Sequence, residues 1–332
     1  MLVLVTGCGG FLGRSISAQL LRRGDRVRGL ARGEYHDLQD RGVDLRRGDV
    51  SDADTVDRAC EGVDAVIHCA AIAGVWGAWS RYHRVNVLGT ENVIAGCHRR
   101  RVPVLVHCSS PSVTFDGGNQ SGIDESATYP AKHLCHYSDT KAIAERAVLA
   151  AHAVGQLHTA ALRPHLIWGA DDPHLFPRLI DRARRRRLVI VGDGKNRIDT
   201  VHVDNAAAAH LAALDHLTKV DPEGGGRPFF ITQDEPVGCW DWISRVLEIA
   251  NVPAPTRAIS LATAWRVGAT LETIYRLAGV EREPPMTRFL AAQLARDHYF
   301  DISAAKRILG YRPQVSTAAG LESLRVAWQD KV

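Results

Sequence analysis

No two of the seven cysteines stand in a C-x-x-C spacing; their number is odd, and they are scattered as Cys8, Cys60, Cys69, Cys97, Cys108, Cys135 and Cys239. That pattern suits a reducing compartment and buried thiols, so neither a disulfide framework nor a zinc site is expected. No apolar run is long enough to span a bilayer, since the longest, Ile259 to Val280, is broken by Arg266, Glu272 and Arg276. It still suits an amphipathic helix lying over an apolar pocket, or touching a bilayer surface or a pathway enzyme. A leader is not expected either, because Met1 runs within one residue into a strand. Internal repeats and low-complexity linkers are absent, and so is a strong charge of either sign. The formal charge is +4, and much of the excess lies in Arg99 to Arg101 and Arg184 to Arg187, at expected helix ends. Basic side chains there favour the helix dipole and stay solvated, so a nucleic-acid partner is not expected and a cytoplasmic globular protein is.

What is present is enough chain for a large core: 332 residues, 45% of them hydrophobic and 23% charged. The first two-thirds alternates short β-branched runs with helical patterns, which predicts an α/β fold with a Rossmann-type, doubly wound parallel sheet. Strands are expected at Leu2–Val5, Val27–Leu30, Val43–Arg46, Ala65–His68, Val104–Cys108 and Thr159–Leu162. Helices are expected at Leu12–Arg23, Ala53–Cys60, Tyr82–Arg99 and Tyr137–Ala153. The alternation ends after Arg163-Pro164. Residues 1–165 then read as the dinucleotide-binding domain, with core elements returning around 199–232. Most of 166–332 reads as a smaller substrate-binding region over the carboxyl edge of the sheet, where open parallel sheets bind ligands.

Gly7-x-x-Gly10-x-x-Gly13 follows the first strand directly and opens the first helix. Such a loop needs a tight turn, a backbone that lets a pyrophosphate approach, and close helix-to-strand packing, with the anion on the helix N-terminus. The cofactor choice is expected about 20 residues on, at the end of the second strand. The stretch is Val27-Arg28-Gly29-Leu30-Ala31-Arg32, with no carboxylate at its end and a guanidinium fork at Arg32 for a 2′-phosphate. NADP(H) is therefore expected over NAD(H). Asp49, in Gly48-Asp49-Val50, can accept from the adenine amino group or cap the next helix.

Tyr137 and Lys141 lie four apart at the start of a helix, hence on one face. A nearby ammonium and an oxidised nicotinamide would lower a tyrosine pKa from about 10 towards neutrality, which takes roughly 4 kcal/mol. The fifth strand ends His107-Cys108-Ser109-Ser110-Pro111-Ser112, placing a hydroxyl where it can hold a carbonyl oxygen towards Tyr137. Two histidines stay open: His202 as a capping neighbour of Asp204 or a catalyst, His165 as a buried hydrogen-bonded residue or a substrate contact.

Taken together, these features resemble an extended short-chain dehydrogenase/reductase. The Gly7 loop, Asp49-Val50, His68-Cys69-Ala70-Ala71, Asn86-Val87-x-Gly89-Thr90, the serine strand end, Tyr137-x-x-x-Lys141 and Arg163-Pro164 occur in family order over about 200 residues. Within that family the chain is similar to the 3β-hydroxysteroid dehydrogenase-like branch, and to bacterial 2-alkyl-3-oxoalkanoate reductases of long-chain olefin biosynthesis. The carrying segments are Trp76-Gly77-Ala78-Trp79 with Tyr82-His83, Ser110 to Phe115, Leu162 to Gly169, Val191 to Gly194 and Glu283 to Phe289. The resemblance implies Ser110, Tyr137 and Lys141 as the catalytic set, with Ser109 and Ser112 as alternatives to Ser110. It implies Gly7, Gly10, Phe11, Leu12, Gly13, Arg32, Asp49, Val50, Ala70, Ala71, Asn86, Tyr137, Lys141 and Pro164 around the cofactor, Asn86 as a supporting helix residue, and no metal. Asp139 and His136 depart from the family pattern.

The activity so implied is reduction of the 3-keto group of an apolar β-keto acid, with Tyr137 as proton donor and Leu261–Leu277 roofing an acyl channel. A 3β-hydroxysteroid or sterol-4-carboxylate 3-dehydrogenase is the alternative, with a nucleotide-sugar epimerase or dehydratase and a non-catalytic cofactor sensor behind it. A homodimer through the helices from Tyr82 and Tyr137 is also implied.

Overall fold

The computed structural model describes residues 1–153, 155–219 and 223–329. The β-branched runs form β1 (Leu2–Thr6), β2 (Arg26–Ala31), β3 (Asp44–Arg47), β4 (Ala65–His68), β5 (Val104–Cys108) and β6 (His158–Pro164), close to the expected ranges. A further strand, β7 (Arg227–Ile231), arrives from far along the chain and completes an all-parallel sheet ordered β7-β6-β5-β4-β1-β2-β3. Helices α1 (Phe11–Arg22), α2 (Ala53–Ala59), α3 (Gly89–Arg100), α4 (His136–Ala150) and α5 (Val203–Leu217) wrap it.

Alternation along β1 shows why both faces are covered. Val3 and Val5 enter one core with Ile16 and Leu20 of α1 and Leu214 of α5, while Leu4 enters another with Val56, Val93 and Val148 of α2, α3 and α4. Each fully buried aliphatic side chain contributes roughly 2 kcal/mol, so many modest terms hold the three layers together. Strand order reverses between β1 and β4, which places the ligand crevice at their carboxyl ends.

The continuous helix expected from Tyr82 to Arg99 is divided. A short turn, Trp79–Tyr82, passes through a wide π-type turn, His83–Leu88, before α3 begins. The wider turn sets Asn86 into the interior, 1% exposed, where its polar side chain finds partners described below.

Beyond β6 the chain builds short sheets over the carboxyl edge. Arg197–Ile198 pairs with Val237–Gly238 and with His298–Phe300, which pairs in turn with Gln120–Ile123. Trp168, Phe176, Trp240, Trp242, Leu247 and Leu321 fill a separate core there. The longest apolar run forms α6 (Leu261–Leu277), braced against α7 (Arg288–Ala295). Gly268 permits that approach, since a Cβ there would lie 2.7 Å from the carbonyl carbon of Thr287. Buried Glu272 accepts from the Arg288 amide at 2.7 Å and its Nε at 2.8 Å. Among the described residues no helix is long and apolar enough to cross a membrane.

Candidate active site

The loop between β1 and α1 is shaped by its glycines. Gly7 has φ +71°, and a Cβ on it would sit 2.8 Å from the amide nitrogen of Ala70. A Cβ on Gly13 would lie 2.2 Å from the Gly7 carbonyl oxygen, so helix and loop touch backbone to backbone. Gly10 is the N-cap and supplies no side-chain acceptor, leaving the first-turn amides of Phe11, Leu12 and Gly13 directed at the crevice. This cradle fits a dinucleotide pyrophosphate. Arg32 is the exposed residue just after β2, and no ion pair engages it among the described residues. Arg14 and Tyr35 also lie at this end: the Arg14 guanidinium is 5.1 Å over the Tyr35 ring, donates to the Gly9 carbonyl at 3.1 Å and pairs with Asp37. The motif reading passed over them because neither belongs to the glycine pattern; Arg14, next to Gly13, was the available signal.

Asp49 accepts from the Ser51 amide at 2.9 Å. The cap of α2 is instead Asp52, bonded by the amides of Asp54 and Thr55 at 3.1 and 3.4 Å, so helix capping does not occupy Asp49. Val50 packs on Gly89, where a Cβ would come within 2.7 Å of it.

A chain of hydrogen bonds fixes the floor of the crevice. The Ala70 amide donates to Thr6 Oγ1 at 3.2 Å, and Thr6 Oγ1 lies 2.6 Å from His68 Nδ1. His68 Nε2 lies 3.0 Å from Thr90 Oγ1, which donates to the Asn86 carbonyl at 2.7 Å. Burial pushes the His68 pKa down to about 3, so this imidazole stays neutral and the network carries no charge. Asn86 accepts from the Ile72 amide at 2.8 Å and donates to the Ile72 carbonyl and Thr140 Oγ1 at 3.1 and 3.2 Å. Its side chain splints the loop after β4, where Ala71 is exposed, to the helix carrying Tyr137 and Lys141.

Ser110, just past β5, stands 2.9 Å from Ser112 Oγ and accepts from the Ser112 amide. Its hydroxyl also lies close enough to the Tyr137 phenol to favour the phenolate, whereas the Ser109 hydroxyl is buried without a partner among the described residues. Burial pushes the Tyr137 phenol above its ordinary value, the nearby Cys108 sulfur adds to this, and the Ser110 hydroxyl opposes it. The depression expected from the lysine does not show in the chain alone: burial dominates, and Lys141 directs its bonds to the Cys108 carbonyl and His107. Lys141 Nζ donates to the Cys108 carbonyl at 2.6 Å and lies 3.2 Å from His107 Nε2; burial lowers its pKa.

Asp139 turns away from the tyrosine: it sits in the first turn of α4, favourable to the dipole, and accepts from Trp79 Nε1 at 3.2 Å. Pro164 is buried at the end of β6, beside Ile231. His165 is buried against His298 at 2.6 Å, and His202 caps α5 through the Asp204 amide at 3.3 Å.

Next to the start of α4 opens a cleft of about 740 Å³, lined by Trp76, Leu134, His136, Tyr275, Arg276 and Val280 among others. Of the expected roof residues, Tyr275 lines it and stands edge-on to Trp76 at 6.3 Å, while Ile274 is 53% exposed and points away. The arrangement joins a dinucleotide cradle, a serine–tyrosine pair, a buried lysine and a cleft whose wall mixes Trp76, Leu134, Tyr275 and Val280 with charged Lys132, Glu272, Arg276 and Glu281.

Comparison with known proteins agrees with this geometry. Residues 4–262 match the model of the 3-beta hydroxysteroid dehydrogenase/isomerase family. The chain is 44% identical over 329 residues to a 2-alkyl-3-oxoalkanoate reductase of Shewanella oneidensis, covering 97% of this chain and 85% of that protein. It is 34% identical over 327 residues to the decarboxylating sterol-4-alpha-carboxylate 3-dehydrogenase of Mus musculus, covering 96% and 88%. Among solved structures it is similar to MoeE5 in complex with UDP-glucuronic acid and NAD, with TM-score 0.75, 25% identity, and 99% of each chain covered.

Proposed function

The chain belongs to the 3-beta hydroxysteroid dehydrogenase/isomerase family and is an NAD(P)-dependent oxidoreductase of the short-chain type, and on that premise we propose that it reduces the 3-keto group of an apolar 2-alkyl-3-oxoalkanoate, with NADP(H) preferred. The observation that carries this reading is the bond from buried Lys141 Nζ to the Cys108 carbonyl at 2.6 Å, which fastens the helix of Tyr137 to the strand end that presents Ser110. When bound, the reduced nicotinamide nucleotide supplies hydride to the carbonyl carbon. Ser110 donates to the carbonyl oxygen and orients it. Tyr137, kept a phenol at neutral pH by burial, gives that oxygen its proton. Lys141 would hold the ribose, and its ammonium favours the phenolate left after proton donation, which takes a proton back from solvent. Arg32, just after β2 and without an ion pair among the described residues, would pair with the 2′-phosphate.

The names of the bacterial and mouse relatives describe substrates with one shared feature, a carboxylate on the carbon next to the oxygen-bearing one. Arg276 suits it: its guanidinium lies on the cleft wall 6.0 Å over the Trp76 ring, and no ion pair engages it among the described residues. The mouse relative supports a second reading, oxidation of a sterol-4-carboxylate 3-alcohol.

NADPH oxidation with a 2-alkyl-3-oxoalkanoate, its methyl ester and a ketosteroid separates the two. Turnover of the acid is expected, and Tyr137→Phe is expected to lower it by about 10²- to 10⁴-fold while leaving NADPH binding nearly intact. Arg276→Ala is expected to raise KM for the acid by roughly 10- to 100-fold and leave the ester unchanged. Activity confined to the steroid, or a Tyr137→Phe variant keeping more than a few per cent of turnover, would overturn the proposal.

A further inference from the structure

The expectation of no zinc site rested on spacing along the chain, and the parallel sheet brings distant thiols together. His68 pairs with His107 across β4 and β5, which sets Cys69 beside Cys108 at the carboxyl edge. His210, from the middle of α5 and fully buried, reaches both of them. The two sulfurs and an imidazole nitrogen lie within 4.8 Å of one another. His210 Nδ1 is 2.7 Å from the carbonyl of Ala206, one turn back, so that nitrogen carries the proton and Nε2 keeps its lone pair. Nε2 is buried and has no hydrogen-bond partner among the described residues. A metal-binding histidine is held in this way, its second nitrogen donating to a backbone carbonyl.

We propose that Cys69, Cys108 and His210 form a binding site for one thiophilic divalent cation, Zn²⁺ by preference, with solvent from the cofactor crevice as fourth ligand. Two thiolates and one imidazole are a soft, borderline donor set that suits Zn²⁺ and disfavours Mg²⁺ or Ca²⁺. Zinc–sulfur bonds of about 2.3 Å in a tetrahedron bring the sulfurs to about 3.8 Å, so the trio closes by roughly 1 Å, within reach of χ1 rotation. Binding releases the thiol protons.

The site lies directly behind the lysine. The Cys108 carbonyl accepts from Lys141 Nζ, so a cation on Cys108 Sγ places positive charge near the ammonium and shifts the backbone that holds it. Zn²⁺ is thus expected to inhibit turnover reversibly and to raise KM for NADPH.

The test uses the full chain, kept reduced by a phosphine and stripped with a chelator. Titration with Co²⁺ is expected to give sulfur-to-metal charge-transfer absorption that saturates at one equivalent. After desalting, one equivalent of Zn²⁺ is expected to remain by elemental analysis. Cys69→Ala and Cys108→Ala are each expected to weaken Co²⁺ binding by about 100-fold or more, since outer-shell changes alone cost 10- to 100-fold. X-ray absorption on the unmodified zinc-loaded chain is expected to show two sulfur and one imidazole ligand, and needs no variant to fold. No retained metal, a sulfur-free shell, or binding that survives Cys69→Ala/Cys108→Ala would overturn the proposal.

Discussion

Replacing Glu145 by Gln should destabilise the protein more than any single surface change. Glu145 lies one turn past Lys141 on α4 and is fully buried, and Arg163 on β6 is 1% exposed. Arg163 Nε lies 3.2 and 3.0 Å from the two carboxylate oxygens and Nη2 lies 2.6 Å from Oε1, which also accepts from the Tyr129 hydroxyl at 2.7 Å. The guanidinium lies 5.1 Å over Phe230 and 5.8 Å over Tyr129. Water cannot replace the lost charge there, so Glu145→Gln leaves an uncompensated buried cation at a cost of about 3–5 kcal/mol. At about 1.4 °C per kcal/mol, from an unfolding entropy of about 2.1 cal/mol/K per residue over 332 residues, Tm should fall by about 4–7 °C in a circular-dichroism melt at pH 7. The drop should be nearly the same in high salt, because buried pairs are poorly screened. Glu145→Leu/Arg163→Met, which removes both charges, should recover most of the loss. A fall of less than about 2 °C in Glu145→Gln, or a double variant no better than the single, would refute this account.

Burial pushes Asp199 up to about 7 from an ordinary 3.8, and one carboxylate oxygen has no hydrogen-bond partner among the described residues while the other accepts from the Phe300 amide. A carboxyl raised on folding gives stability that is full below the unfolded pKa and is lost as pH rises from about 4 to about 7, here by up to about 4 kcal/mol. Asp199→Asn should therefore raise Tm at pH 8 and leave it unchanged at pH 4; equal effects at both would count against it. Gly13→Ala should lower cofactor affinity by at least about tenfold and stability by about 1–3 kcal/mol, because its Cβ meets a backbone oxygen that only α1 can move away from; calorimetric titration with NADPH checks it. Arg32→Ala should reduce the NADPH-over-NADH affinity ratio by about 10- to 100-fold, and an unchanged ratio removes Arg32 from cofactor choice.

Much of the fold was legible because the β-branched runs of β1 to β6 and the helical patterns between them are local signals. β7 was legible only as part of a core element returning around 199–232; its place at the edge beside β6 was not. The division around Asn86 was also hidden, since a π-type turn of only six residues is too short to alter the helical apolar pattern on either side of it. In the site, Tyr137 and Lys141 were readable from helix periodicity. The distinction between Ser109 and Ser110 was not, because it depends on which hydroxyl the end of β5 points at Tyr137.

Sequence alone determined the glycine cradle, the parallel layers and the family, since each rests on spacing within one turn or one strand-to-helix junction. Tertiary structure decided that burial raises the tyrosine pKa, that Asp139 serves Trp79, and that Cys69, Cys108 and His210 meet at one corner of the sheet edge. Those outcomes depend on desolvation and on contacts between residues far apart in the chain, and neither has a trace in local order.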